Sequence, residues 1–193
     1  MNKNEEWNYF PHLMQSWMVG YERAIMDQHF QRSKQITDNS CYYAVEDFTK
    51  RLLDHKKIEK ILGKELNSMA ECIDHHVDNL VKAGLWDETH RPKIEEKNDF
   101  EIVVKVSECS FREGCKWALG EEYFSPVQKF RCQRVGCFVG AIKKYLKEGL
   151  LPDDMEADYF MFHIHEEEGC AAVVFGRKGF RLHELINKYI KGE

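Results

Sequence analysis

The apolar residues of this chain change their spacing part-way along it, and that change limits the fold more than any other feature. Up to about residue 86 they recur every three or four positions, the period of an α-helix with one buried stripe. Phe10, Leu13, Met14, Trp17, Tyr21 and Ile25 trace a first such stripe. Cys41, Val45, Phe48, Leu52 and Leu53 trace a second, with Asp38, Asn39 and Ser40 ahead of it as N-cap candidates. Leu66, Met69, Ile73, Val77 and Leu80 trace a third, with Gly84 as its stop. From residue 100 the period becomes two. Phe100, Ile102, Val104 and Val106 alternate with Glu101, Lys105 and Ser107, which predicts a strand with one buried face.

Between the two regimes, Asp87 to Asp99 is polar and contains Pro92, the best boundary in the chain. The expected organisation is a helical subdomain over 1–90 and a small α/β ligand- or metal-binding domain over 99–193, an α+β fold with an antiparallel sheet. The second part continues with a helix from about Pro126 to Lys147, stopped by Gly149. Two β-rich runs follow, Tyr159 to His165 and Cys170 to Phe175, and Glu166 to Gly169 between them suit a hairpin loop. Leu182, Leu185, Ile186 and Tyr189 predict a short closing helix.

Composition removes several function classes. With 193 residues, 43% of them hydrophobic and 12% aromatic, the chain can bury a sizeable core and does not resemble a disordered segment. A net charge of -5, with its basic pairs interleaved among acids, argues against a nucleic-acid surface. No stretch approaches the roughly 18 apolar residues that a membrane span needs. The polar start, Met1 to Glu6, is not followed by a secretory apolar run. A cytoplasmic protein is expected, with its seven cysteines as thiols or metal ligands rather than disulfides.

Those cysteines carry the chemical signal. Alternation along the first hairpin strand puts Tyr159, Met161, His163 and His165 on one face, and a four-residue loop would pair His165 directly with Cys170. Imidazole and thiolate at that separation can share an ion, because Zn–N and Zn–S bonds are roughly 2.0–2.3 Å long. On the helix, Cys132, Gly136 and Gly140 form one stripe whose glycines allow a strand or ligand to come close. Cys109, at the end of the first strand, is the natural further contributor, with Cys115 and Cys137 nearby in sequence. The candidate metal ligands are therefore Cys109, Cys132, His163, His165 and Cys170, with zinc, iron or an iron–sulfur cluster as the group held. If the site is instead catalytic, Cys170 is the nucleophile and His165 its base. The plain alternative is that these cysteines are small core hydrophobes. No Cys-x-x-Cys pair and no His-Glu-x-x-His motif is present.

Other clusters have plainer readings. Glu71, Asp74, His75, His76 and Asp78 lack the second Glu-x-x-His helix that a di-iron bundle requires, so a solvated helix face is expected. Glu166 to Glu168 are expected to be a loop tip, Gly176 to Gly179 a turn, and Trp17, Tyr21, Trp86 and Trp117 core.

Val106 to Glu113, then Cys132 to Gly140, then Glu168-Gly169-Cys170 leading into Val173 to Phe175, resemble two related groups. One is the 4-vinyl-reductase-type, hydrocarbon-binding domain. The other is the L-2-amino-thiazoline-4-carboxylic acid hydrolase-like family. The resemblance covers roughly residues 100–176. It implies a small α/β ligand-binding fold with an apolar pocket, a homodimer, and in the hydrocarbon-sensing members a cysteine-ligated zinc. Cys132 and Cys170 match family cysteines, while the intermediate family cysteine is absent and His163 or His165 stands near its place. The expected partner is then a small apolar or sulfur-containing molecule. Phe130, Phe138, Tyr159, Phe160, Phe162 and Phe175 are the expected apolar lining. A hydrolase acting on a small sulfur- or nitrogen-containing substrate is the alternative.

Overall fold

A computed structural model describes residues 30–54, 66–82, 86–98, 100–107, 132–152, 155–166, 169–176 and 182–191, together with Tyr21 and Cys109. The first expected helix, apart from Tyr21, and Cys115, Phe130 and Gly84 lie outside these residues. The side chains of Phe48, Leu52, Leu53, Phe162, His163 and His165 also lie outside what is described.

Four helices and four strands follow in chain order among the described residues. They are α1 (Phe30–Asp54), α2 (Met69–Lys82), β1 (Lys93–Asn98), β2 (Glu101–Val106), α3 (Gln133–Lys147), β3 (Asp158–Glu166), β4 (Gly169–Phe175) and α4 (Leu182–Ile186). The last runs on as a π-helical turn, Asn187–Lys191. The fold is α+β. The sheet is antiparallel in the order β1-β2-β4-β3, so β2 and β4 are central.

Local chemistry explains the helix ends. Ser68 precedes α2, where its hydroxyl accepts from the Glu71 N–H at 3.2 Å and Glu71 reaches back to the Asn67 N–H at 2.8 Å, a variant of the capping box. Helix α3 ends at Gly149, whose φ of 70° only glycine adopts cheaply. There the N–H groups of Gly149 and Leu150 return to the carbonyls of Leu146 and Tyr145, closing a Schellman turn. Asp38, Asn39 and Ser40 are not a cap, because α1 already runs from Phe30. Asp38 instead pairs with Lys34 at 2.7 Å, and Lys34 reaches Asp158 of β3 at 3.1 Å.

The sheet carries two cores. On one face Ile102, Val104, Val106, Tyr159, Met161, Cys170, Ala172 and Val174 pack with α2 and α3 through Ile73, Val77, Phe138, Val139 and Ile142. Ile73 and Ile142 are fully buried, and a side chain of that size contributes about 1.5–3 kcal/mol by leaving water. On the other face Val103, Phe160, Val173 and Phe175 are covered by Leu185, with Tyr189 packed against them. Strand β2 is therefore buried on both faces, where alternation had predicted one. Its Glu101, 3% exposed, accepts from Lys188 at 2.7 Å and from the Tyr189 hydroxyl, which ties the closing turn to the sheet. Strand β1 falls in the polar stretch read as a boundary. It is an exposed edge with one partly buried apolar side chain, Ile94, too little for period-two alternation to register.

The closest helix contact is that of α1 on α3. A Cβ added at Gly136 would lie 2.6 Å from the Cys41 sulfur and 3.1 Å from the Tyr159 hydroxyl, and one at Gly140 would lie 3.1 Å from the Cys41 carbonyl oxygen. Gly136→Ala is therefore expected to cost about 1–3 kcal/mol by overpacking. A lowered urea midpoint with an unchanged slope is the expected reading, and an unaltered midpoint would show that the helices separate freely.

His76 is 6% exposed and stands edge-on to Phe138, with ring centroids 6.5 Å apart. Burial first, and the neighbouring His75 second, hold its imidazole down at about 4, against 6.5 when exposed. Below pH 6.5 the unfolded chain takes up a proton that the folded one refuses, so stability falls as pH drops from 6.5 towards 4. The loss from this group is about 3 kcal/mol. Unfolding at pH 7 and pH 5 should show a loss in the wild type that is smaller in His76→Gln; equal losses would place His76 in water.

Candidate functional site

Three of the expected ligands lie at chain positions just after β2, just before α3 and at the start of β4. Cys170, 9% exposed, is the second residue of β4 and pairs with Val106 at the end of β2. Gly169 makes that approach possible. It has a φ of 102°, and a Cβ there would stand 2.1 Å from the Val106 carbonyl oxygen. The chain then leads three residues on to Cys109, which is half-buried against the helix-side core. Cys132 is the residue ahead of α3, also half-buried against that core. Its carbonyl accepts from the Tyr159 hydroxyl at 2.7 Å, which pins the start of α3 to β3.

The sulfurs interact electrostatically. Burial pushes the Cys132 thiol well above its ordinary range, and the nearby Cys109 and Cys170 push it further. The backbone N–H groups of Val135 and Arg134, in the first turn of α3, act in the opposite direction by favouring the thiolate. A proton on Cys132 is thus held by its surroundings, and a cation placed among the three sulfurs would displace it. As the side chains stand, no group of three His, Cys, Asp or Glu among the described residues is close enough to hold an ion. The sulfurs would have to draw together around one.

The histidines are reached only through the backbone of β3. His163 pairs with Ala171 and Glu166 with Gly169, so His165 is not the register partner of Cys170. The register slips twice, once between Met161 and His163 and again between His163 and Glu166. Ile164 and His165 both oppose Cys170 in that second irregularity. The face assignment by alternation therefore holds for Tyr159 and Met161, which sit in the helix-side core, and does not carry past the first bulge. Ala171, the partner of His163, alternates with Cys170 and Ala172 along β4.

The other described cysteines are Cys41, Cys72 and Cys137. Cys72 is fully buried in α2, where burial raises its thiol, as befits a core hydrophobe. Cys41 and Cys137 meet at the α1–α3 contact, where a hydrogen bond from Cys41 holds the Cys137 thiol below its ordinary range despite burial.

The acidic cluster on α2 has a structural explanation. Arg91 reaches Asp78 at 2.5 Å, Asp74 at 3.6 Å and Glu88 at 2.7 Å. Only His76 departs from the solvated face expected there. Trp86 packs on Phe138 and carries the Arg134 guanidinium 3.8 Å above its ring.

Phe138 and Tyr159 are 1% exposed in the helix-side core, while Phe160 and Phe175 belong to the opposite face. A cleft of about 360 Å³ opens elsewhere, lined by Asn67, Met69, Glu96, Phe100, Ile102 and Met155 among others. Sequence reasoning gave no signal for it, since its walls come from three separated segments.

No family model, curated protein or solved structure matches this chain.

Cys132 and Cys137 are both half-buried, so their thiolate fractions rather than their exposure should decide their reactivity. With iodoacetamide at pH 8, Cys132 is expected to alkylate at least about tenfold more slowly than Cys137. Equal rates by mass spectrometry would contradict the electrostatics described for Cys132.

Proposed function

We propose that the protein binds or senses a small molecule, in the cytoplasm, through the thiol site formed by Cys109, Cys132 and Cys170. The observation that carries this reading is the electrostatic influence on Cys132 of two other sulfurs, Cys109 after β2 and Cys170 on β4, beside the first turn of α3. Bringing three thiols together from a strand end, a helix start and a hairpin has no packing benefit that three small apolar residues would not also give. The ion such sulfurs take is zinc, or iron as a cluster, with His163 or His165 completing the set. The resemblance to the hydrocarbon-binding and thiazoline-carboxylate hydrolase-like groups agrees with a small apolar or sulfur-containing ligand and with a homodimer.

Binding an ion requires Cys132 to lose its proton, so affinity should rise with pH and protons should be released on loading. A second reading keeps the same corner but makes it a hydrolase. His165 lies in the irregular stretch that opposes Cys170, where an imidazole could act as base to that thiol.

Elemental analysis of purified protein separates the two. Near-stoichiometric zinc or iron in the wild type and in Cys72→Ala, with loss in Cys170→Ala and Cys132→Ala, is the expected result. Equal metal in all four, or none in any, would overturn the metal site. No metal together with one fast-alkylating thiol at Cys170 would favour the hydrolase.

A further inference from the structure

The cleft beside the turn from β1 to β2 is built from three segments: the start of α2, the hairpin from Glu96 to Ile102, and the stretch after α3 that holds Pro152 and Met155. Its volume of about 360 Å³ lies within the range of small-molecule sites, roughly 300–1,000 Å³. Backbone bonds tie the segments together. The Leu66 N–H donates to the Leu150 carbonyl at 3.0 Å, and the Gly176 N–H donates to the Phe100 carbonyl at 2.9 Å. The Phe100 N–H donates to the Asn98 side chain at 3.0 Å, which fixes the turn. Gly176 also makes room, because a Cβ there would collide with the Met69 sulfur. The walls are therefore in place before anything binds, and little ordering remains to oppose binding.

The lining divides into an apolar floor and one charge. Met69, Ile102 and Met155 are buried, with Phe100 half-buried beside them. Thioethers adapt to irregular apolar shapes and make favourable contacts with aromatic rings. Glu96 carries the lining's single formal charge. It is the register partner of Ile102, so its exposed carboxylate rises from beside that floor. Its Oε1 accepts from the Ser68 hydroxyl at 3.3 Å, and among the described residues no Lys or Arg pairs with it. The cations nearby in sequence are engaged elsewhere: Lys97 and Lys105 with Glu95 at 3.0 and 2.6 Å, and Arg91 with Asp74, Asp78 and Glu88. The N–H groups of Asn67 and Glu71 at the start of α2 are already met by Glu71 and Ser68, which leaves them nothing to offer an anion.

We propose that this cleft binds a small organic ammonium ion, whose apolar body lies on Met69, Phe100, Ile102 and Met155 while its N–H groups donate to the Glu96 carboxylate. A charge-assisted bond of that kind is stronger than one to a neutral hydroxyl of the same shape, and an anion in the same place is repelled. Because Glu96 is exposed, solvent and salt weaken the attraction. The charge is therefore worth about three- to tenfold in affinity at low ionic strength, and less at high. The site is separate from the thiols, since none of Cys109, Cys132 and Cys170 lines the cleft. Either reading can fail without the other.

The test is to titrate full-length protein, isotope-labelled on the methyl groups of its seven methionines, with three compounds that share one ring and differ in charge. Phenethylammonium is cationic, phenethyl alcohol neutral and hydrocinnamate anionic at pH 7. Nuclear magnetic resonance then reads both affinity and place, with the signals of Met69 and Met155 assigned from Met69→Leu and Met155→Leu. The expected result is a saturable shift of those two signals, with the ammonium ion binding at least about threefold tighter than the alcohol and the carboxylate weakest. In Glu96→Gln, shown folded by circular dichroism, the ammonium ion and the alcohol should bind alike, at the affinity the alcohol has for the wild type. Three outcomes overturn the proposal: signals of Met69 and Met155 that do not move, an ammonium ion that binds no tighter than the alcohol, or a folded Glu96→Gln that keeps the preference.

Discussion

The close approach of α1 to α3 sets the position of almost everything else. Helix α3 is approached by both α1 and β3 at one position, Gly136. Gly136 faces the Cys41 sulfur and the Tyr159 hydroxyl at once, so the helix-to-helix and helix-to-strand distances are coupled through one missing side chain. The Tyr159 bond to the Cys132 carbonyl then fixes how far α3 can slide along β3. Overpacking at that point would move the start of α3, and with it Cys132.

Much of this was legible from residue spacing, for physical reasons. The period of α2 showed because Met69, Ile73 and Val77 all face one core and lose nearly all their exposure. The β2 and β4 strands showed because they are central and rich in valine. The glycine stripe of α3 announced a close approach, although the sequence could not say that the approaching group was Cys41 of α1 rather than a ligand. Strand β1 escaped because an exposed edge strand needs no apolar alternation. Asp38 was misread as a cap, since a carboxylate that pairs along and between helices has the same composition as one that ends a helix.

The candidate site was legible only as to backbone position. The places of Cys132 and Cys170, at the start of α3 and of β4, followed from the order of elements, because strand and helix starts are fixed by topology. The facing of the histidines did not, because side-chain direction along β3 depends on counting residues by twos. A single unpaired residue reverses that count, and β3 has two such irregularities between Met161 and Glu166. The approach of Cys41 to Gly136 had no spacing signature, being a contact between elements almost a hundred positions apart.

Among the described residues the sheet has two outer strands, and both are ill suited to further pairing. One border is β1, whose Lys93, Glu95, Glu96 and Lys97 put alternating charge along the strand. The other is β3, whose broken register spoils a continuous row of donors and acceptors. Both are the means by which natural sheets refuse a foreign strand. Growth of this sheet by addition of a strand from another molecule is thereby disfavoured at either end. Ile36 and Tyr43, large side chains that the chain does show to solvent, lie on α1 rather than on either outer strand.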